Sequence, residues 1–112
     1  MDETIETINP QLAIEYIAKN AQRYAVAKAS RIESENLLKT TKAILMNEES
    51  GSVASKEAYA YSHEQYIEAC AKIKEYMTEE EYLRHMIDAA KLKIEIWKVN
   101  EYTKRTEMRT GI

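Results

Sequence analysis

The sequence predicts an all-α fold: a long antiparallel helical hairpin, coiled-coil-like, with a short connecting helix, assembled into an oligomeric bundle. Two compositional observations and one periodic one lead there. The chain holds only 2 Gly and 1 Pro, whereas a sandwich or barrel needs a turn signal about every ten residues. Its charged fraction of 31% and apolar fraction of 45%, with Ala, Glu, Lys and Ile prominent, is the composition of long helices. Apolar residues also recur at spacings of three and four over most of its length, which is the period of a helix face.

Residues 1–9 read as an acidic flexible tail, followed by a single helical domain over 10–112. Asn9-Pro10 starts the first helix, because Asn can cap free amides and Pro is tolerated at the first helical position. From there to about Asn47 no breaker occurs. Ile14, Ile17, Ala18, Ala21, Ala25, Ala29 and Ile32 mark one Ala-rich face that a neighbour can approach closely. Past Ile32 the apolar positions shift to Leu38, Thr41 and Leu45, so the buried face is expected to rotate along the helix.

The stretch NEESGS, Asn47 to Ser52, is the one clear loop. A short helix is expected over 53–61. Ser62-His63-Glu64-Gln65 then fits a capping box, with Ser62 capping and Gln65 reaching back. The third helix, over 63–108, carries the hairpin seam Tyr66, Ile73, Tyr76, Leu83, Ile87, Ala90, Ile94 and Trp97, with Ala69 between them and Glu80 as the single polar member. Thr78-Glu79-Glu80-Glu81 is a rival helix start, but the seam keeps its register across it.

KLKIEIWKV, Lys91 to Val99, alternates like a β-strand. An isolated strand cannot satisfy its backbone, and no second alternating segment exists to pair with it. On a helix, Ala90, Ile94 and Trp97 fall on one side while Leu92, Ile96 and Val99 fall nearly opposite. The alternation is two apolar faces read along one helix. Folded back, the first helix covers one of them; Leu92, Ile96 and Val99, with Ala89 and Tyr82, form a second face for self-association or a partner. A helix over 63–108 is about 69 Å long, and a two-helix hairpin has a thin core that assembly would reinforce.

Chemistry-bearing patterns are sparse. Glu81, His85 and Asp88 share a helix face at ligand-like spacing, but a solvated charged face explains them and the first helix offers only Glu15, Glu33 and Glu35 as further ligands. His63 reads as a capping or surface residue, and Cys70, beside the seam, as a small buried hydrophobe. No phosphate loop, zinc pattern or nucleophile motif occurs, so the expectation is a non-enzyme with no cofactor and no metal. The net charge of −3 is not that of a general nucleic-acid binder. Residues 63–90 carry three basic and seven acidic residues, a net of −4, and residues 91–109 six basic and three acidic, a net of +3. Arg84, Lys91, Lys98 and Arg105 recur one heptad apart beside the seam. Pairing with acids of a neighbouring helix is the ordinary use of such positions; phosphate contact, extended by Tyr102, Lys104 and Arg109, is the alternative. Eight Tyr with no Phe suit half-buried contact surfaces.

No apolar run reaches bilayer-spanning length. The acidic MDETIETIN is unlike a signal peptide, and a lone Cys fits a reducing cytosol, so a cytoplasmic location without membrane association is expected.

AYAYSHEQYIEA together with LRHMIDAAKLKIEIWKVNEYTKR resembles a group of short helical proteins of tailed bacteriophages and prophages, found in early or recombination gene regions. The shared pattern is a Tyr/His-containing helix start followed by AA-x-x-KIE-hydrophobic-W and a basic end, over residues 54–109. The resemblance implies an accessory role in the host-cell cytoplasm and brings no catalytic or binding residues with it. A phage or host protein partner follows as an expectation. Two alternatives stand beside it: a DNA-binding accessory of phage recombination or replication that uses the basic C-terminal helix, and an inhibitor of a host enzyme or defence complex whose acidic surface, such as Glu79–Glu81, mimics phosphate.

Overall fold

The computed structural model describes residues 8–111; the expected acidic tail lies, for residues 1–7, outside them. Three helices follow in order: α1 Pro10–Glu48, α2 Val53–Ser62 and α3 Glu64–Thr110. Among the described residues there is no strand, so Lys91–Val99 is helical. Thr78 lies inside α3, its hydroxyl donating to Lys74 O at 2.8 Å, and the helix runs through without restarting.

Helix ends are set by local hydrogen bonds. Asn9 Oδ1 accepts from Gln11 N at 2.9 Å and Leu12 N at 3.4 Å, occupying amides that the first helical turn leaves without partners. Gly51, at φ 119°, makes the turn after α1 in a region that side chains disfavour, and Ser52 Oγ caps α2 by accepting from Ser55 N at 3.1 Å. Ser62, expected to cap α3, instead ends α2, and its hydroxyl donates back to Ala58 O at 2.8 Å. The cap is His63, whose Nδ1 accepts from Gln65 N at 3.1 Å. This residue is extended (φ −73°, ψ 140°). Its amide donates to Ala60 O at 3.2 Å and its carbonyl accepts from Ile67 N at 3.1 Å, so one residue closes α2 and opens α3.

The chain falls into two compact units, Tyr24–Glu81 and Met1–Arg23 with Tyr82–Ile112. Each joins a stretch of α1 to a stretch of α3. The early part of α1 goes with the late part of α3, and the late part of α1 with the early part of α3, which is the antiparallel order of a helical hairpin.

The buried face of α1 differs from the expected one. Ala13, Ile17, Asn20, Tyr24, Ala27, Arg31, Ser34, Leu38, Thr41 and Leu45 are all buried or half-buried, at spacings that alternate strictly between four and three. Ile14, Ala18, Ala21, Ala25, Ala29 and Ile32 are exposed, so up to Ile32 only Ile17 of the expected face is covered, whereas Leu38, Thr41 and Leu45 are covered as expected. The face does not rotate. It runs from Ala13 to Leu45 through polar residues, and the Ala-rich stripe lies roughly a third of a turn to its side at about 100° per residue. In α3 the positions Tyr66, Ala69, Ile73, Tyr76, Glu80, Leu83, Ile87, Ala90 and Ile94 are buried or half-buried, while Trp97, placed on the same seam, is 36% exposed. Leu45 and Leu83 are the largest fully buried side chains.

Candidate interaction surface

In the unit formed by Tyr24–Glu81, the polar seam positions meet. Arg31 Nε donates to Glu80 Oε1, Nη2 donates to Oε2 at 3.2 Å, and Nη1 donates to Glu35 Oε1 at 2.9 Å. Glu80 is only 5% exposed. The guanidinium presents two parallel donors to this carboxylate, the strong geometry for such a pair. Hydrogen bonding to Arg31 holds the Glu80 carboxyl below its usual range against the opposing effect of burial, and Glu80 and then Glu35 push the Arg31 guanidinium further up, keeping it charged. This cluster occupies seam positions in both helices, so it is structural in location. An apolar-only criterion misses it because Glu80 looks like a defect until Arg31 is placed opposite.

The same unit carries a tyrosine-rich corner. Tyr59 Oη donates to Glu48 Oε2 at 3.1 Å, and that bond raises the phenol above its ordinary pKa. Lys42 Nζ stands 4.7 Å from the centre of the Tyr61 ring, and Tyr61 packs edge-on to Tyr66 at 5.2 Å. Cys70, expected as a buried hydrophobe, is exposed. On the outer side of α1, Ala29, Ile32, Glu33, Asn36, Leu37 and Thr40 line a shallow depression.

In the other unit, Asn20 is buried at a seam position. Its Nδ2 donates to Tyr16 O at 2.9 Å, and its Oδ1 accepts from Arg23 Nη1 at 3.2 Å. A groove of about 270 Å³ runs between the start of α1 and α3, bordered by Asn9, Leu12, Tyr16, Met86, Ala89 and Lys93 among others. Nothing in it pairs a nucleophile with a base.

The second face of α3 lies in this unit. Tyr82, Leu92 and Val99 are 57%, 59% and 63% exposed, and Ala89 is exposed as well; Ile96 is half-buried. Leu83, Ile87 and Ala90 on the seam side are buried. One helix face is therefore filled while another keeps large aliphatic and aromatic side chains in water.

Two of the basic residues beside the seam, Arg84 and Lys98, stand near acids of their own helix. Arg84 stands 4.0 Å from Asp88, Lys98 3.3 Å from Glu95 and Lys104 3.6 Å from Glu101, while Arg105 Nε donates to Glu101 O at 3.5 Å. Spacings of three and four bring these side chains together on one helix. Among the described residues no three or more His, Cys, Asp or Glu side chains group closely enough to hold a metal ion, and the Glu81, His85 and Asp88 grouping forms no such site. Among them, too, no helix is long and apolar enough to cross a membrane.

No family model matches the chain, and neither the curated proteins nor the solved structures contain a match to it.

Proposed function

We propose that the protein is a non-enzymatic helical adaptor that acts through protein–protein contacts, self-assembly among them. The observation that carries this reading is the open apolar face Tyr82, Ala89, Leu92 and Val99 on a helix whose seam side is already filled. Exposed clusters of this kind are used for association. The sequence resemblance over residues 54–109 supports a phage-type accessory in a host cytoplasm, with a phage or host protein as the further partner.

Light scattering over a range of concentrations and salt tests the proposal. The expected result is a mass above one chain that falls on dilution, and that falls at every concentration in Leu92→Glu. A one-chain mass throughout, unchanged by Leu92→Glu, refutes self-assembly. DNA binding by the basic end of α3 is the less favoured reading, because Arg84, Lys98 and Lys104 already stand beside acids. It predicts affinity that drops steeply with salt.

A further inference from the structure

We infer that the Arg31–Glu80 pair is a register lock: it selects the observed pairing of α1 with α3, in which α2 stays a separate helix, over a pairing shifted by one heptad. This goes beyond the adaptor reading and does not depend on it. Within the unit Tyr24–Glu81 the covered positions of both helices recur every seven residues, as Tyr24, Arg31, Leu38 and Leu45 in α1 and as Tyr66, Ile73 and Glu80 in α3. Since Arg31 meets Glu80, antiparallel steps of one heptad set Leu38 opposite Ile73 and Leu45 opposite Tyr66. A seam of this period fits its partner again after a slide of one heptad, about 10 Å, unless some position objects.

The connection to α3 makes one such slide accessible. Only His63 separates α2 from α3, and its extended backbone (φ −73°, ψ 140°) differs from a helical one in ψ alone. Turning it helical gives up the bond from Gln65 N to His63 Nδ1 and joins residues 53–110 into one helix. The seam then continues backwards from Tyr66 through Ser62 to Tyr59, at spacings of four and three. With α1 folded directly onto that helix about Gly51, Tyr59 would stand opposite Leu45 and Tyr66 opposite Leu38, so apolar packing is kept at both places. The charges object. Arg31 would face Ile73 and keep Glu35 alone, while Glu80 would face Tyr24, whose single hydroxyl replaces two guanidinium donors. Sliding the other way sets Glu80 opposite Leu38, which offers no donor. A buried carboxylate that loses its cation is strongly destabilising. One ion pair on an otherwise repeating seam thus specifies register, as a single polar core position does in coiled coils.

Paired spin labels in the full chain read the register. With the exposed Cys70 replaced by Ser, labels are attached at Ile44→Cys and Met77→Cys, both exposed positions. The labelled chain is diluted with unlabelled chain, so that only separations within one molecule count. Along the helix axis the two labels lie about 15 Å apart in the observed register and about 25 Å apart in the shifted one. The chain with Arg31 and Glu80 intact should give one separation. Arg31→Leu with Glu80→Leu, which makes both positions apolar, should keep or raise the urea midpoint and add a second, longer separation. Arg31→Glu with Glu80→Arg restores the pair with its polarity reversed and should return the chain to one separation. A single short separation in the apolar variant overturns the inference. So does an apolar variant that fails to fold, because the pair would then be required for stability in place of register. A longer population that persists in the charge-reversed variant overturns it as well.

Discussion

The two long helices fill the same kind of seam with different side chains. The α3 seam at its most buried stretch is Leu83, Ile87 and Ala90, whereas α1 buries Asn20 and half-buries Arg31 and Ser34 between its alanines. Beside the seam the contrast is reversed in α1, where Ile14, Ala18, Ala21, Ala25, Ala29 and Ile32 lie in water. Position in the alternating four-and-three spacing decides what is covered, and polarity follows only where a partner is lacking. A charge sits on the seam at Glu80 because Arg31 supplies two donors to it. An amide sits there at Asn20 because both ends of its side chain are bonded. Among the described residues no buried side-chain nitrogen or oxygen is left without a partner, which is the condition under which buried polarity is tolerated.

That comparison can be broken most severely at its apolar side. Leu83→Ala removes a fully buried side chain and should cost about 3 kcal/mol, read from the urea midpoint; a loss below 1 kcal/mol would place Leu83 outside the core. The polar side comes next. Glu80→Ala leaves Arg31 with Glu35 alone and should cost about 2 kcal/mol, less than breaking a fully enclosed pair because Arg31 keeps some contact with water.

Acidification sharpens the same point. The Glu80 carboxyl titrates below its ordinary value in the folded chain, so the native state holds its proton less tightly than the unfolded state does. The stabilisation is complete above the unfolded carboxylate pKa of about 4.3 and is lost as pH falls through the lowered native value. The stability gap between the native chain and Glu80→Gln should therefore be constant from pH 7 to about 5 and close on further acidification. A gap that widens in acid would contradict the pairing.

Smaller effects separate the helix ends and faces. His63→Ala should cost about 1 kcal/mol, and His63→Asn should recover most of it by keeping an acceptor at the cap. Smallest of all, Ala25→Gln on the exposed stripe should change stability by less than about 0.5 kcal/mol. A large loss there would show the stripe to be covered after all.

Much of this architecture was legible beforehand. Helix extents followed from the scarcity of Gly and Pro, and the first start from Asn9-Pro10, because these signals are local. The helical state of Lys91–Val99 followed from the lack of any strand partner. The α1 face was legible at Leu38, Thr41 and Leu45 but not before them, since Arg31 belongs to the seam only once Glu80, 49 residues away in sequence, is known to meet it. Counting apolar residues selected Ile14 and the alanines, which satisfy the same period on the adjacent face. The cap failed for a related reason. Ser62 has the commoner capping chemistry, but the extended backbone falls one residue later, where an imidazole nitrogen does the work of a hydroxyl.

The separation between Arg31 and Glu80 also bears on the order in which the chain can fold. Glu48 and Tyr59 meet across only 11 residues, so their contact closes a short loop, while Arg31 and Glu80 must close one of 49. Closure entropy grows with loop length, and once the contacts beside Gly51 exist, each further pair along α1 and α3 adds only a few residues to a loop already shut. Helix pairing should therefore start at the turn and zip outward. The expected kinetic signature is that substitutions at Leu45 slow folding, whereas those at Ala13 and Ala90 chiefly speed unfolding. Equal slowing by both would instead show that the helices meet along their whole length at once.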